Sequence, residues 1–552
     1  MSIKSLLKDK KNIIPCIFIA GVIIRLIFFT VNLFVGEYHC DEVMTILNAR
    51  TLALNGTDIT GEYLPAYFDT WVYGGQSPVA TYTIALMIKL FGYSLFVVRL
   101  PLFILSLAGM YFFIRTAELI FDDSRIVYTA AALCAVSPWH IRDAMFTLDC
   151  NYLPHIMIIG IYFLTKAVKS EKPAKYYAAA MLFFGLCFYC YLMSAIIIPV
   201  FLTVTYLLLL IKKKISISDC ALSVAVLVLI GLPFILFLLV VYGFAEPFRL
   251  FGFNYEMPYY HSYQFLSDNR DSSVLSVIAG KIADVFAGIM DLVMPDYQLT
   301  NATSSFMYTN FVGGIAAAYG LGYVLLKERK TDKNFPLFIY TVTSFVLSVI
   351  ITLFTVIATT YALYRFGCVN YIFLMLEAYG FILLADRISN SDKLNIKNFR
   401  PSVMIAAFLA VSVLLTAGNY AYHSVRAIND EPIYCKNALE ALDYIDSKGY
   451  KDIELLNVDN KECVVCRLHY YGSDERKFIP FEEDYLGRAE LKAGERFDIT
   501  EDGSICYISI ENGYEPDCEC ALIYKRDFDK VKIDYDKYEV KDFGSRVVIA
   551  RK

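Results

Sequence analysis

Eleven apolar stretches, most of them close to the length of a bilayer-spanning helix, run through the chain. They lie near 13–35, 93–114, 126–139, 152–168, 176–189, 192–211, 219–243, 306–326, 336–358, 361–386 and 402–422. A helix of about 20 apolar residues covers the hydrocarbon core of a bilayer. It also satisfies every backbone N–H and C=O internally, as lipid requires. The pattern predicts an α-helical polytopic membrane protein with about eleven spans. The third and fifth stretches are the shortest. The first is too long for a cleaved signal peptide, and no small-residue cleavage site follows it. Composition agrees, with 57% of the 552 residues hydrophobic and 19% charged. Soluble globular chains have about 45–50% and about 25%. That balance excludes a disordered chain, a nucleic-acid binder with a basic surface, and an ordinary soluble enzyme.

The formal net charge of −5 is unevenly spread. Residues 424–552 hold 20 Lys/Arg and 29 Asp/Glu, whereas residues 1–423 hold 30 and 26. The break at 423/424 marks a membrane body, 1–423, followed by an acidic soluble domain, 424–552. Cations set orientation. They cluster at Lys4 to Lys11, Arg115 with Arg125, Lys166 to Lys175, Lys212 to Lys214, Lys327 to Lys333, and Arg387 to Arg400. These are alternate loops, so the N-terminus is expected in the cytoplasm and the C-terminal domain outside it. Two outer loops are long, at about 36–93 and 244–305. Within the first, Thr81–Leu90 reads as an interfacial helix, with Lys89 reaching the headgroups.

The C-terminal domain reads as α/β. Asn437–Lys448 is expected to be a helix stopped by Gly449. Ile453–Leu456, Val464–Leu468, Cys506–Ile510, Ala521–Tyr524 and Val547–Ala550 are expected to be strands. Six of the 14 cysteines fall here. Their spacing is compatible with free thiols or disulfides. It suits zinc poorly, because Cys518-x-Cys520 is too short for a usual knuckle.

The chemistry-bearing candidates sit at outer span ends. Asp41-Glu42 follows the first span and opens an amphipathic segment, where acids cap a helix or accept a proton. Asp149 ends the second outer loop, beside an apolar run where an acid is costly unless paired or functional. Arg25, Arg99 and Arg365 lie within or at the edge of spans. Buried arginines need anions, either from Asp41, Glu42 and Asp149 or from a lipid phosphate. The outer aromatics Tyr63, Tyr67, Trp71, Tyr73, Tyr255, Tyr259 and Tyr260 suit an interfacial belt or sugar stacking.

Taken in order, these residues form a recognisable set. A span containing Arg25 is followed by Asp41-Glu42, Tyr73-Gly74-Gly75-Gln76-Ser77-Pro78 and Leu90-Phe91-Gly92. Arg99-Leu100-Pro101, Ser137-Pro138-Trp139-His140 and Leu148-Asp149-Cys150-Asn151 come next. The set resembles the GT-C membrane glycosyltransferases, specifically the protein mannosyltransferase-like family (family 39). The aminoarabinose transferases of lipid A are among its relatives. The resemblance is strongest over 13–170, weaker to about 422, and does not cover the C-terminal domain.

It implies transfer of a sugar, with inversion, from a polyprenyl-phosphate carrier to an acceptor hydroxyl on the outer face. The acceptor class is a glycan, lipid or protein. It implies that Asp41 is the base or acceptor-orienting group, with Glu42 its partner and Asp149 the acid of the second loop. Substrate contacts are expected from Arg99, Arg365, Gln76, Arg142, His140, Asn151 and Tyr73. No metal ligand is assigned, although a divalent ion could neutralise phosphate. Two departures stand out. Gln76-Ser77-Pro78 replaces the Lys-Pro of many members. Met145 and Phe146 stand where an arginine often precedes the second-loop acid, leaving Arg142 as the nearest cation. The alternative is a transporter or lipid-sugar flippase, which would show acids or broken helices at mid-span, often in repeated halves.

Overall fold

The computed structural model describes residues 12–35, 38–70, 74–255, 311–328, 334–358, 363–389, 401–430, 435–471, 477–479, 484, 487–488 and 491–552. In chain order the elements begin with α1 (Ile13–Val35), α2 (Cys40–Asn55), β1 (Phe68–Thr70), β2 (Gly74–Gln76) and α3 (Pro78–Phe91). Then come α4 (Leu95–Ile120), α5 (Ser124–Val136), α6 (Pro138–Asp143), α7 (Asp149–Val168), α8 (Ala174–Cys187), α9 (Ser194–Ile211) and α10 (Ile217–Val241). A hairpin, β3 (Phe248–Leu250) and β4 (Phe253–Tyr255), precedes α11 (Phe311–Leu326), α12 (Phe335–Ala358), a 3-10 turn (Leu363–Val369), α13 (Asn370–Ser389) and α14 (Pro401–Asp430). The C-terminal region supplies α15 (Lys436–Lys448), β5 (Ile453–Leu456), α16 (Asn460–Tyr470), β6 (Arg496–Asp498), β7 (Ile505–Ile508), β8 (Cys520–Tyr524), β9 (Tyr538–Asp542) and β10 (Arg546–Arg551).

A helix stands in each of the eleven stretches read as spans. Among the described residues six helical segments are long and apolar enough to cross a membrane: α1, α4, α9, α10, the Phe335–Thr352 part of α12, and Arg365–Ser389. The charge break at 423/424 falls inside α14.

The chain divides into two compact units. The first comprises Met1–Val31, Arg99–Leu236 and Ser262–Asn419. Its helices pack through small residues where backbones approach. A Cβ at Gly380 would overlap the Ala316 carbonyl oxygen, and one at Gly320 would overlap that of Leu376, so α11 and α13 cross at glycines. Arg125 of α5 makes a two-pronged ion pair with Asp386 of α13, at 2.7 and 2.9 Å. Arg25 is held by backbone carbonyls. Its guanidinium donates to the carbonyls of Cys134 at 2.8 Å and Ala135 at 3.0 Å. These belong to the last turn of α5, where carbonyls lack helical partners and the dipole favours a cation.

The second unit comprises Asn32–Val98, Phe237–His261 and Tyr420–Lys552. A six-stranded sheet, in the order β6-β7-β5-β8-β10-β9, is parallel at β7-β5-β8 and antiparallel elsewhere. Strand alternation sorts its core. On one face Ala521, Ile523, Val547 and Ile549 pack with Val531 and Tyr538. On the other, Leu522, Tyr524, Val548 and Ala550 pack under α15 and α16. That second core runs on into Val43, Met44 and Leu47 of α2 and Ile84 and Ile88 of α3. The first long loop and the C-terminal region thus share one hydrophobic core.

Val464–Leu468, expected as a strand, lies inside helix α16. A short apolar run fits either element when all its residues are buried, as they are here. Gly449 ends α15 at φ +77°, a left-handed stop that glycine adopts without strain. The edge strands β6 and β9 were hidden in the sequence because they are charged, as exposed sheet edges often are. No disulfide joins any of the 14 cysteines among the described residues.

Candidate active site

In the second unit the first long loop builds an acid-bearing turn. His39 is the N-cap of α2, with an extended backbone that turns the chain into the helix. Its Nδ1 accepts the Asp41 N–H at 3.1 Å, and the Glu42 carboxylate accepts the His39 N–H at 3.5 Å. This reciprocal cap satisfies backbone donors that have no helical partner. It also separates the two acids. Glu42 is fully buried and engaged in the cap. The Asp41 side chain is half-exposed, with Oδ2 3.7 Å from His39 Nδ1. The Cys40 thiol donates to Asp41 Oδ1 at 3.8 Å.

One turn on, the Thr45 hydroxyl donates to the Asp41 carbonyl at 2.9 Å and accepts from Gln76 Nε2. Gln76, at the end of the β1-β2 hairpin, is buried with no partner for its Oε1 among the described residues. Ser77, which precedes Pro78 at the start of α3, meets the Tyr67 hydroxyl through its own at 2.9 Å. Tyr73, Trp71, Tyr259 and Tyr260 lie outside the described residues.

His39, Cys40 and Asp41 bring one ligand atom each within 4.8 Å of one another, the one such group among the described residues. The lone pair of His39 Nδ1 is already spent on the Asp41 N–H, and a thiol suits a soft ion rather than Mg²⁺ or Ca²⁺. The turn is therefore a poor cradle for a hard divalent ion.

The first unit builds a cationic loop from α6, residues 144–148 and the start of α7. The guanidinium of Arg99 lies over the Phe146 ring at 4.9 Å, and that of Arg142 at 5.4 Å. Phe146, which replaces an expected arginine, thus gathers two arginines 43 positions apart in sequence. Asp149 opens α7, half-buried, and accepts the Cys150 N–H at 2.7 Å. Asn151 ties the loop down by donating to the Phe146 carbonyl at 3.0 Å.

Arg365 lies in the 3-10 turn, and the neighbouring Gly367 packs against Pro154 of α7 and Trp139 of α6. His140 points into the helix packing. Its ring lies 4.2 Å from that of Tyr371, and Nδ1 pairs with Ser137 Oγ at 3.1 Å. Burial, with His155 and Arg25 nearby, pushes its pKa down. Sequence reasoning passed over Asp143. It is buried, and burial pushes its carboxyl up against the opposing pull of Arg142. The adjacent Arg142-Asp143 pair in an otherwise apolar loop was the available signal.

The fold these residues sit in is that of the GT-C membrane glycosyltransferases. Residues 75–237 also match the family described as dolichyl-phosphate-mannose-protein mannosyltransferase. The resemblance to that group therefore holds in sequence as well as in fold. ArnT from Cupriavidus metallidurans, solved with undecaprenyl phosphate, aligns over 96% of this chain and 97% of its own, at 14% identity and a TM-score of 0.55. The apo oligosaccharyltransferase of Archaeoglobus fulgidus aligns over 83% of this chain, at 14% identity and a TM-score of 0.51. The match spans 64% of that enzyme. The Archaeoglobus fulgidus oligosaccharyltransferase AglB, solved with an inhibitory peptide and dolichol-phosphate, aligns over 93% of this chain and 70% of its own, at 12% identity and a TM-score of 0.50. No curated protein matches the chain by sequence.

Proposed function

We propose that the protein transfers a sugar from a polyprenyl-phosphate donor to an acceptor hydroxyl, with inversion, at the extracytoplasmic membrane surface. The observation that carries this reading is the extent of the family match. Residues 75–237 contain Gln76, Arg99, His140, Arg142, Asp149 and Asn151, six of the candidate site residues. Asp41 is the proton acceptor, because it is the acid of the pair left half-exposed while Glu42 holds the cap. A phosphate leaving group needs little protonation, but its charge must be met. Arg99 and Arg142 supply that charge, and Asp149 and Asn151 orient substrate. Inversion follows from a single displacement, and NMR of the product's anomeric configuration tests it. Retention would exclude a one-step transfer.

Arg99→Ala should weaken donor binding by roughly 10–100-fold, the usual worth of a hydrogen bond to a charged group. Acceptor binding should change less. Unchanged donor affinity, measured in detergent with a polyprenyl-phosphate probe, would leave Arg99 a structural cation.

The Lys/Arg pattern supports a cytoplasmic N-terminus. The core shared by α2, α3 and the C-terminal region supports placing the first long loop and that region on one side. Reporter fusions after Lys214 should read cytoplasmic and fusions after Ser424 extracytoplasmic. A cytoplasmic signal at Ser424 would overturn this topology.

A further inference from the structure

The β3-β4 hairpin combines two features that a water-exposed turn avoids. It pairs Phe248 with Tyr255, Arg249 with Asn254 and Leu250 with Phe253, leaving Phe251-Gly252 as a two-residue turn. Both turn residues have positive φ, +53° for Phe251 and +86° for Gly252. Such a turn favours Asn, Asp or Gly at its first position. A bulky side chain there strains the backbone. Phe251 is also 88% exposed, so contacts with the described residues do not offset that strain.

Its surroundings indicate what does. Span α10 ends at Val241, and only residues 242–247 separate it from β3. At about 3.3–3.6 Å per residue, that link holds the hairpin close to the membrane surface. Phe244 in the link is 79% exposed. Phe253 of β4 meets Tyr82 of α3 edge-on, with ring centres 6.0 Å apart. Helix α3 buries Ile84 and Ile88 in the core but leaves Leu86 and Leu90 exposed on its other side. A helix apolar on both sides needs a second apolar medium. Arg249 is exposed one residue before Leu250, at a level suited to lipid phosphate.

We propose that the hairpin tip and the outer side of α3 form one bilayer-docking surface, with the Phe251 ring among the acyl chains. The hairpin is also tied to the first long loop. Asn254 accepts the Ala66 N–H at 2.8 Å and donates its own N–H to Leu64 at 3.0 Å. Its side chain binds Glu62. The hairpin therefore holds the Glu62–Ala66 stretch of the first long loop at the lipid surface. This anchoring does not depend on the reaction catalysed.

The test uses the full chain in nanodiscs, with Phe251→Trp compared against the parent to remove the signal of the native tryptophans. The added emission should be blue-shifted. It should lose most of its intensity when the lipids carry brominated acyl chains, and iodide in the water should not quench it. Phe253→Trp, at an ordinary strand position, reads the same surface should the strained position reject tryptophan. Tyr535→Trp, on the exposed C-terminal surface, should be quenched by iodide and spared by bromolipid. Iodide quenching without bromolipid quenching at both hairpin positions would overturn the proposal.

Discussion

Asp41→Asn should lower turnover by about 10²–10⁴-fold, the usual worth of a positioned general base. Donor binding should survive. The substitution keeps size and shape, and the backbone N–H that bonds to His39 is untouched. The negative charge is lost, and with it the ability to accept a proton. Glu42→Gln is the natural contrast. Glutamine still offers an oxygen to the His39 N–H, so the cap should persist and turnover should fall far less. Near-normal turnover for Asp41→Asn, with donor bound normally, would remove Asp41 from the chemistry. Equal losses in both variants would indicate that the turn matters as a structure rather than through one proton acceptor.

The second large effect concerns stability. Glu462 and Arg546 are each 1% exposed and form an ion pair beneath the sheet. Tyr524 donates to the other carboxylate oxygen at 2.8 Å, and the guanidinium lies over the Tyr524 ring at 4.9 Å. Burial raises the Glu462 pKa, and Arg546 opposes that shift. Removing one partner strands the other charge. Glu462→Ala should therefore destabilise this region by about 3–5 kcal/mol. Hydrogen exchange across β8 and β10 in the intact protein should accelerate accordingly. Replacing both partners by apolar residues, Glu462→Leu with Arg546→Met, should recover most of the loss, since such swaps are often neutral or better. A double variant as unstable as Glu462→Ala would show that lost packing, not the stranded charge, is the cause.

Local pattern made much of the architecture readable. The spans were legible because apolar runs of the right length have few alternatives, and α15 was legible because Leu439, Leu442 and Ile445 recur at helical spacing before Gly449. Where pattern is ambiguous it failed: the run at Val464–Leu468 is buried all round and carries no period to separate helix from strand. Long-range partnerships were invisible. Nothing local in Arg25 announces the carbonyls of Cys134 and Ala135, and nothing in Phe146 announces that it gathers Arg99 and Arg142. The merging of α2 and α3 with the C-terminal core is likewise a matter of residues far apart in sequence. Asp41 and Glu42 were found as a pair. Which of them is spent on the helix cap could be seen only once the His39 backbone was placed.

The most direct test of the central claim is sugar transfer by the purified protein in detergent, offered a panel of defined polyprenyl-phosphate sugars and, separately, the matching nucleotide sugars. Products are read by mass spectrometry. The account predicts a product heavier by one sugar residue from at least one polyprenyl-phosphate donor, none from the nucleotide sugars, and its near-disappearance in Asp41→Asn. Transfer from nucleotide sugars alone, or equal product from Asp41→Asn and the parent, would contradict it.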